Sequence, residues 1–501
     1  MTGPTLKIPS DGDRGRGDYA AYHALWHLKT IGVLADLQDF ASDGWNAAAA
    51  RLGPQVRRTR VALIDVSVAA GHPNLKDAVD TDLAIDFFAA RLGIPATPDA
   101  VAARVAGHGG ALPADLPATV GPLWAELTTH LGGGAADPHA SVVQPATSPS
   151  FSAHGTAMAG LIGARPVAPD AIDVAPVRLF DPASGTFSDL PAGTPTAFAY
   201  AGVDPFCEIV PISTNFDPEP EQLILSLLYA ALIGADVIVL ARDFPSPDSL
   251  APGVAPTAEA LGRALRVGLT EEEMTLWSAL KDLTLALSRR VPIVCAAGNG
   301  ALDGVLFPGA LAAPDNGIIA VGARAATGQP AAYTPVGPGI TVQAPSGDGE
   351  RLDRDLQRLD TQSGRFNPQD QSAAYTAGLG NYGDPAFAGV PAAGTHAPQD
   401  LVSTDVPGRA GYNSSPHAQV FGRDGAVLDY RSAFCRFSGT SGATALTAGL
   451  LSLAISAGRI APGAADFGVT AKAALRGSGA GTAAPLIHWS HFPPPPPEET
   501  P

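Results

Sequence analysis

Four short segments of this 501-residue chain carry side chains whose types and order could perform acyl transfer. That chemistry needs a nucleophile, a base beside it, a group that fixes the base's tautomer, and donors for a developing oxyanion. In Val61-Ala-Leu-Ile-Asp65 an apolar run ends on a carboxylate. In Ser152-Ala-His154-Gly155-Thr156 a histidine stands just ahead of a run of small residues. Val291 to Ala297 runs into Gly298-Asn299-Gly300, and Ser438-Gly439-Thr440-Ser441-Gly442 leads into the apolar stretch Ala443 to Ala457. Each residue also has a plain structural alternative. Asp65 could cap a turn, His154 could be a partly buried histidine, Asn299 could sit in an ordinary turn, and Ser441 could only cap a helix.

The elements around these residues suggest how they could be positioned. Continuous apolar runs predict strands buried on both faces at 58–66, 235–240, 291–297, 318–321 and 340–342. Helices are predicted over 19–52 with a break at 42–44, over 221–233, and from a capping-box spacing at Thr270 and Glu273 to the cations Arg289 and Arg290. Strands alternating with helices give an α/β fold with a mostly parallel central sheet and helices on both faces. A carboxylate at the end of such a strand stands where α/β proteins place their sites. Ser441 at a helix N-terminus would have free N–H groups and the helix dipole beside it.

Composition bounds the function classes. Hydrophobic residues make up 46% of the chain, enough for a large core, while 56 Gly and 47 Pro call for many turns. The net charge of −17 disfavours nucleic acid as a partner. Cys207, Cys295 and Cys435 are far apart and form no Cys-x-x-Cys pair, which excludes a zinc ribbon or redox motif. The polar start of the chain lacks a secretory signal, and no run of about 20 apolar residues predicts a membrane span. Gly378-Leu-Gly380-Asn-Tyr-Gly383 fits a dinucleotide fingerprint only in its letters, since no strand precedes it and Pro385 and Pro391 deny it a helix. Asp11, Asp13 and Asp18 match no calcium-loop spacing, so no metal or other cofactor is expected.

Taken together, the four segments resemble the subtilases, the subtilisin-like serine peptidases, in the order Asp, His, Asn, Ser. The likeness extends to Gly71-His72-Pro73-Asn74-Leu75, Phe307-Pro308-Gly309-Ala310, Ile318 to Ala323, Val342-Gln-Ala-Pro345, and Leu401-Val-Ser-Thr404 with Pro407, Gly408 and Tyr412, spanning about residues 20–475. The resemblance implies a three-layer subtilisin-like fold. It implies Ser441 as nucleophile, His154 as general base, Asp65 as the residue orienting it, and the Asn299 side chain with the Ser441 N–H as oxyanion donors. It also places Ala241, Arg242 and Asp243 on a substrate-binding strand, where Ala241 keeps a small residue and Asp243 replaces the family's usual glycine. Asp65-Val66-Ser67 and Ala445 are further departures, and neither removes a catalytic atom.

These readings imply a serine endopeptidase acting on protein or peptide substrates, with Asp243 favouring a basic residue on the acyl side of the cleaved bond. The alternatives are a non-catalytic peptide-binding scaffold and an acyltransferase or cyclase using the same acyl-enzyme. A cytoplasmic location and a regulatory protein partner are expected, with no membrane association. The expected organisation is a flexible lead-in at 1–18, a peptidase domain at 19–490 and a proline-rich tail at 491–501. Loop insertions in that domain are expected at about 92–150, 243–258 and 346–400.

Overall fold

The apolar runs become the middle of one sheet, and their alternate side chains feed two separate cores. The computed structural model describes residues 25–34, 49–50, 52–133, 153–166, 178–181, 186–189, 200–244, 271–325, 328, 330–331, 333–347, 401–406, 411–412, 434–477 and 484–494. The strands are β1 (Arg60–Asp65), β2 (Ile85–Asp86), β3 (Ile94–Pro95), β4 (Arg178–Asp181), β5 (Thr186–Asp189), β6 (Glu208–Ser213), β7 (Val237–Leu240), β8 (Ile293–Ala296), β9 (Ile318–Arg324), β10 (Val342–Pro345), β11 (Leu401–Thr404) and β12 (Phe434–Phe437). Eight form a sheet in the order β10-β9-β8-β7-β1-β6-β2-β3, parallel throughout except between β2 and β3. β4 pairs with β5, and β11 with β12, as separate antiparallel pairs.

The described helices are α1 (Trp26–Thr30), α2 (Pro98–His108), α3 (Gly121–Gly132), α4 (Ala153–Gly163), α5 (Pro220–Leu232), α6 (Glu271–Arg290), α7 (Gly439–Ser456) and α8 (Phe467–Arg476). On β1, Val61 and Leu63 point to the face covered by α4 and α7, while Ala62 and Ile64 point to the face covered by α5 and α6. This is the period-2 alternation of a strand buried on both sides. Burying a side chain such as Leu63 or Ile64 contributes about 1.5–3 kcal/mol. The result is the three-layer α/β arrangement with a mostly parallel sheet and helices on both faces.

One expected insertion is partly helical, and two strands stand where none was predicted, each for a local reason. Residues 92–133 fall in the first expected loop insertion yet form α2 and α3. Val101 and Val105, and Trp124, Leu127 and Leu131, recur at helical spacing and bury against the α5 side of the sheet. Proline at the start of each helix fits the first turn, where no N–H is needed. β6 carries Pro211 in its middle, which weakens a strand reading. The strand tolerates it because, among the described residues, its outer edge is bridged by Val79 at Ile209 and by β2 at Ile212 and Ser213, and not at Pro211. Leu401–Thr404, for which no strand was predicted, is strand β11. Residues 19–24, 35–48, 134–150, 245–258, 348–400 and 495–501, on which other readings fall, lie outside the described residues.

Two features hold the central helices in place. α7 is buried along its whole length, and the Ser452 and Ser456 hydroxyls donate to Oδ2 of fully buried Asp204 at 2.5 and 2.9 Å. α4 lies so close to the segment after β1 that a Cβ on Gly155 would come within 2.6 Å of the Val66 carbonyl oxygen. Only glycine allows that approach, and it brings the neighbouring His154 down onto β1.

Burial pushes the Asp204 carboxyl from its ordinary 3.8 up to about 6, against the pull of the two serine hydroxyls. Between those values the folded chain holds more protons than the unfolded one, so stability falls as pH rises through that window. Above it the folded state carries a penalty of about 3 kcal/mol. Asp204→Asn is therefore expected to raise Tm at pH 7.5, with the gain fading as pH approaches 4. Calorimetry across this range checks it, and a lower Tm for the variant at pH 7.5 would contradict it.

Candidate active site

The parallel strands bring their carboxyl ends to one edge of the sheet, and the segments leaving those ends carry the site. Asp65 closes β1 with no solvent exposure. Its Oδ1 accepts the Val66 N–H at 2.7 Å, and both oxygens lie 2.9 Å from His154 Nδ1. An ionised carboxylate can only accept, so Nδ1 donates and Nε2 is the ring nitrogen left for another partner. Burial alone would push the Asp65 carboxyl up. The charge and hydrogen bond of His154, the Arg242 guanidinium and the Val66 N–H outweigh that and hold it below the usual carboxylate range. His154 is itself buried at the start of α4, with Phe437 edge-on at 5.4 Å and Phe216 at 6.3 Å between ring centroids.

Ser441 lies in the first turn of α7, where backbone N–H groups have no intrahelical acceptor. Its hydroxyl donates to the Ala241 carbonyl at 3.2 Å, so a turn about χ1 is what would redirect it. Gly439 opens this helix at φ +83°, a backbone angle that suits glycine. Asn299 follows β8 and is exposed, but its carboxamide is held. Oδ1 accepts from the Thr440 N–H at 2.8 Å and from the Thr440 hydroxyl at 3.1 Å, and that hydroxyl accepts from the Gly298 N–H at 3.2 Å. With Oδ1 engaged, Nδ2 is the part of the carboxamide left to donate elsewhere.

The segment after β7 links these groups. The Ala241 carbonyl receives Ser441, and the next residue, Arg242, extends Nη2 to 3.5 Å from Asp65 Oδ1. The Arg242 N–H turns back to the Leu240 carbonyl at 2.8 Å, and the Phe244 N–H pairs with the Phe307 carbonyl at 2.8 Å. Arg242 therefore differs from its reading as part of a substrate-facing strand, because its side chain is drawn inward by the Asp65 charge and by the Phe216 ring, 4.0 Å from the guanidinium carbon. Asp243 stays partly exposed, and a Cβ on Gly298 would stand 3.0 Å from its Oδ2, which sets the carboxylate beside Asn299.

Sequence reasoning missed Thr440, which clamps Asn299, and the aromatic neighbours Phe216 and Phe437. It also missed the Arg242–Asp65 contact, for which the one available signal was a cation directly after a buried strand. Among the described residues no group of three or more His, Cys, Asp or Glu is placed to hold a metal, and no helix is long and apolar enough to cross a membrane. Asp11, Asp13 and Asp18 lie outside the described residues. The three cysteines are buried free thiols, and burial pushes the Cys207 and Cys295 thiols up, which suits inert core residues.

The model of the Subtilase family matches residues 57–465, a span that includes all four segments. The chain belongs to the subtilase family. Among solved structures, the nisin leader peptidase NisP from Lactococcus lactis is 14% identical, with 93% of this chain and 92% of that one covered and a TM-score of 0.46. The epidermin leader peptide processing serine protease EpiP from Staphylococcus aureus is 13% identical over 94% and 80% of the two chains, with a TM-score of 0.49. None of the curated proteins matches the chain.

In this subtilase the Asp65 carboxylate is the counter-charge for a buried guanidinium. Removing one partner of a buried pair costs about 3–5 kcal/mol, because the other charge is left uncompensated. Asp65→Asn is therefore expected to destabilise the fold by about that amount, and Asp65→Asn with Arg242→Met to recover most of the loss. Denaturant unfolding of the four members of the cycle checks this, and strictly additive losses would contradict it.

Proposed function

We propose that this subtilase is a serine endopeptidase that hydrolyses protein or peptide substrates through an acyl-enzyme on Ser441. The observation that carries the reading is the buried Asp65 carboxylate pinned on His154 Nδ1, which turns Nε2 into a base. On this reading Ser441 Oγ attacks the scissile carbonyl carbon and its proton passes to Nε2. The Asn299 Nδ2 and the Ser441 N–H hold the oxyanion. Collapse breaks the C–N bond, with Nε2 returning the proton to the leaving amine. A water molecule then gives its proton to Nε2 and attacks the acyl carbon, and the ester bond breaks as Nε2 returns the proton to Oγ, which releases the carboxylic acid and restores Ser441. No step calls for a cofactor. A regulatory protein partner is compatible with this reading and unnecessary for the chemistry.

The Thr440 clamp supports the oxyanion role, since a donor held before reaction does not have to reorganise during it. Casein cleavage is expected from the purified chain, with Ser441→Ala and His154→Ala each losing activity by about 10⁶-fold. Asn299→Ala is expected to lower kcat by about 10²–10³-fold with KM little changed. Cleavage persisting in Ser441→Ala, or absent from the wild type, would contradict the proposal. Ligated products in place of hydrolysed ones would move it to acyl transfer.

The placement of Asp243 beside Asn299 extends the proposal to specificity. An acidic group there favours a basic residue on the acyl side of the scissile bond and disfavours an acidic one. Profiling cleavage of a peptide library is expected to show that preference, and Asp243→Ala to lose it. A preference for large apolar residues that the substitution leaves unchanged would contradict it.

A further inference from the structure

Arg242 is an unusual neighbour for a carboxylate that must orient a histidine. Its side chain is only 7% exposed, and Nη2 lies 3.5 Å from the same Asp65 Oδ1 that faces His154 Nδ1 at 2.9 Å. Nη1 is buried with no hydrogen-bond partner among the described residues. A guanidinium buried for its hydrogen bonds would have its donors filled, since an unmet buried donor is costly. This one is held instead by the Asp65 charge and by the face of Phe216, 4.0 Å from Cζ. Phe216 also lies against His154 at 6.3 Å, so one half-exposed ring shields both the guanidinium and the imidazole.

We propose that Arg242 is a positioning residue that shares Asp65 with His154 and thereby sets the lower pH limit of activity. When the imidazole is neutral, Asp65 has one full cation, Arg242, and one neutral donor. When the imidazole takes up a proton, two cations compete for a single buried carboxylate. The second cation makes that protonation harder, so His154 remains a free base at lower pH than it would beside Asp65 alone. Among the described residues, Asp65 from β1 and Arg242 from just beyond β7 are the charged groups brought to the ring. Asp405, just beyond the strand β11 that packs against α4, accepts the Val406 and Tyr412 N–H groups, and Asp243 lies beside Gly298. Asp217 follows Phe216 and is exposed. The proposal rests on the serine peptidase reading for its effect on activity, but the coupling between Arg242 and His154 does not.

The test uses Arg242→Met, Arg242→Gln and the charge-conserving Arg242→Lys in the full chain, with two readouts. One is the pH dependence of kcat/KM on a peptide substrate. The other is the pH midpoint of the His154 ring signal by NMR in ¹³C-histidine-labelled protein, assigned by its loss in His154→Gln. Without the charge, both the acid limb and the ring midpoint are expected to move to higher pH by about one unit, the scale on which a close charge acts. Arg242→Lys is expected to return most of the shift, which a packing role for the side chain would not do. A ring midpoint unmoved in both neutral variants would overturn the proposal even if the wild type cleaves peptides. A shifted midpoint in a protein that cleaves nothing would uphold the coupling while refuting the peptidase reading.

Discussion

The Asp65 carboxylate is the interaction on which the rest of the site depends. A charge with no solvent exposure is costly unless it is paired and hydrogen-bonded. Here the pairing comes from three directions: the N–H of Val66 just beyond β1, His154 from α4, and Arg242 from the exit of β7. Each partner is drawn in by the same charge, and each belongs to a different element. The carboxylate therefore ties two strand ends and a helix together at His154.

The sheet supplies the remaining order. Because β1, β7 and β8 are parallel neighbours, their exits lie side by side, and Asp65, Ala241–Asp243 and Asn299 follow one another along a single edge. α7 lies under this edge with Ser441 in its first turn, while its far end is tied to buried Asp204. The helix enters the site at one end and is anchored in the core at the other. Thr440 joins helix start to strand exit by its contacts with Asn299 and Gly298. Small residues make the closeness possible: a Cβ at Gly155 would strike the backbone after β1, and a Cβ at Gly439 would press on the Asn299 carboxamide.

The central strands and the main helices were legible because burial on both faces writes itself as unbroken apolar runs, and because α6 is closed by Arg289 and Arg290. β6 was not legible, since Pro211 argues against a strand unless its outer edge is known to be open there. α2 and α3 were hidden by a composition rich in Ala, Gly and Pro, although Val101 and Val105 carry the right spacing. For the candidate site, residue type and order were enough to propose Asp65, His154, Asn299 and Ser441. Arg242 was beyond reach in a different way. Its neighbours in sequence suggested an exposed edge, whereas its direction is decided by a charge 177 positions earlier in the chain and by a ring on a third segment. Long-range electrostatic choices of this kind leave no periodicity to read.

The central claim is that Asp65 and His154 make Ser441 a nucleophile. The most direct measurement is the mapping, by mass spectrometry, of the adduct formed with a fluorophosphonate probe. The account predicts one adduct, on Ser441, formed far more slowly in His154→Ala and absent from Ser441→Ala. An adduct on another residue, or none on the folded wild-type chain, would contradict it.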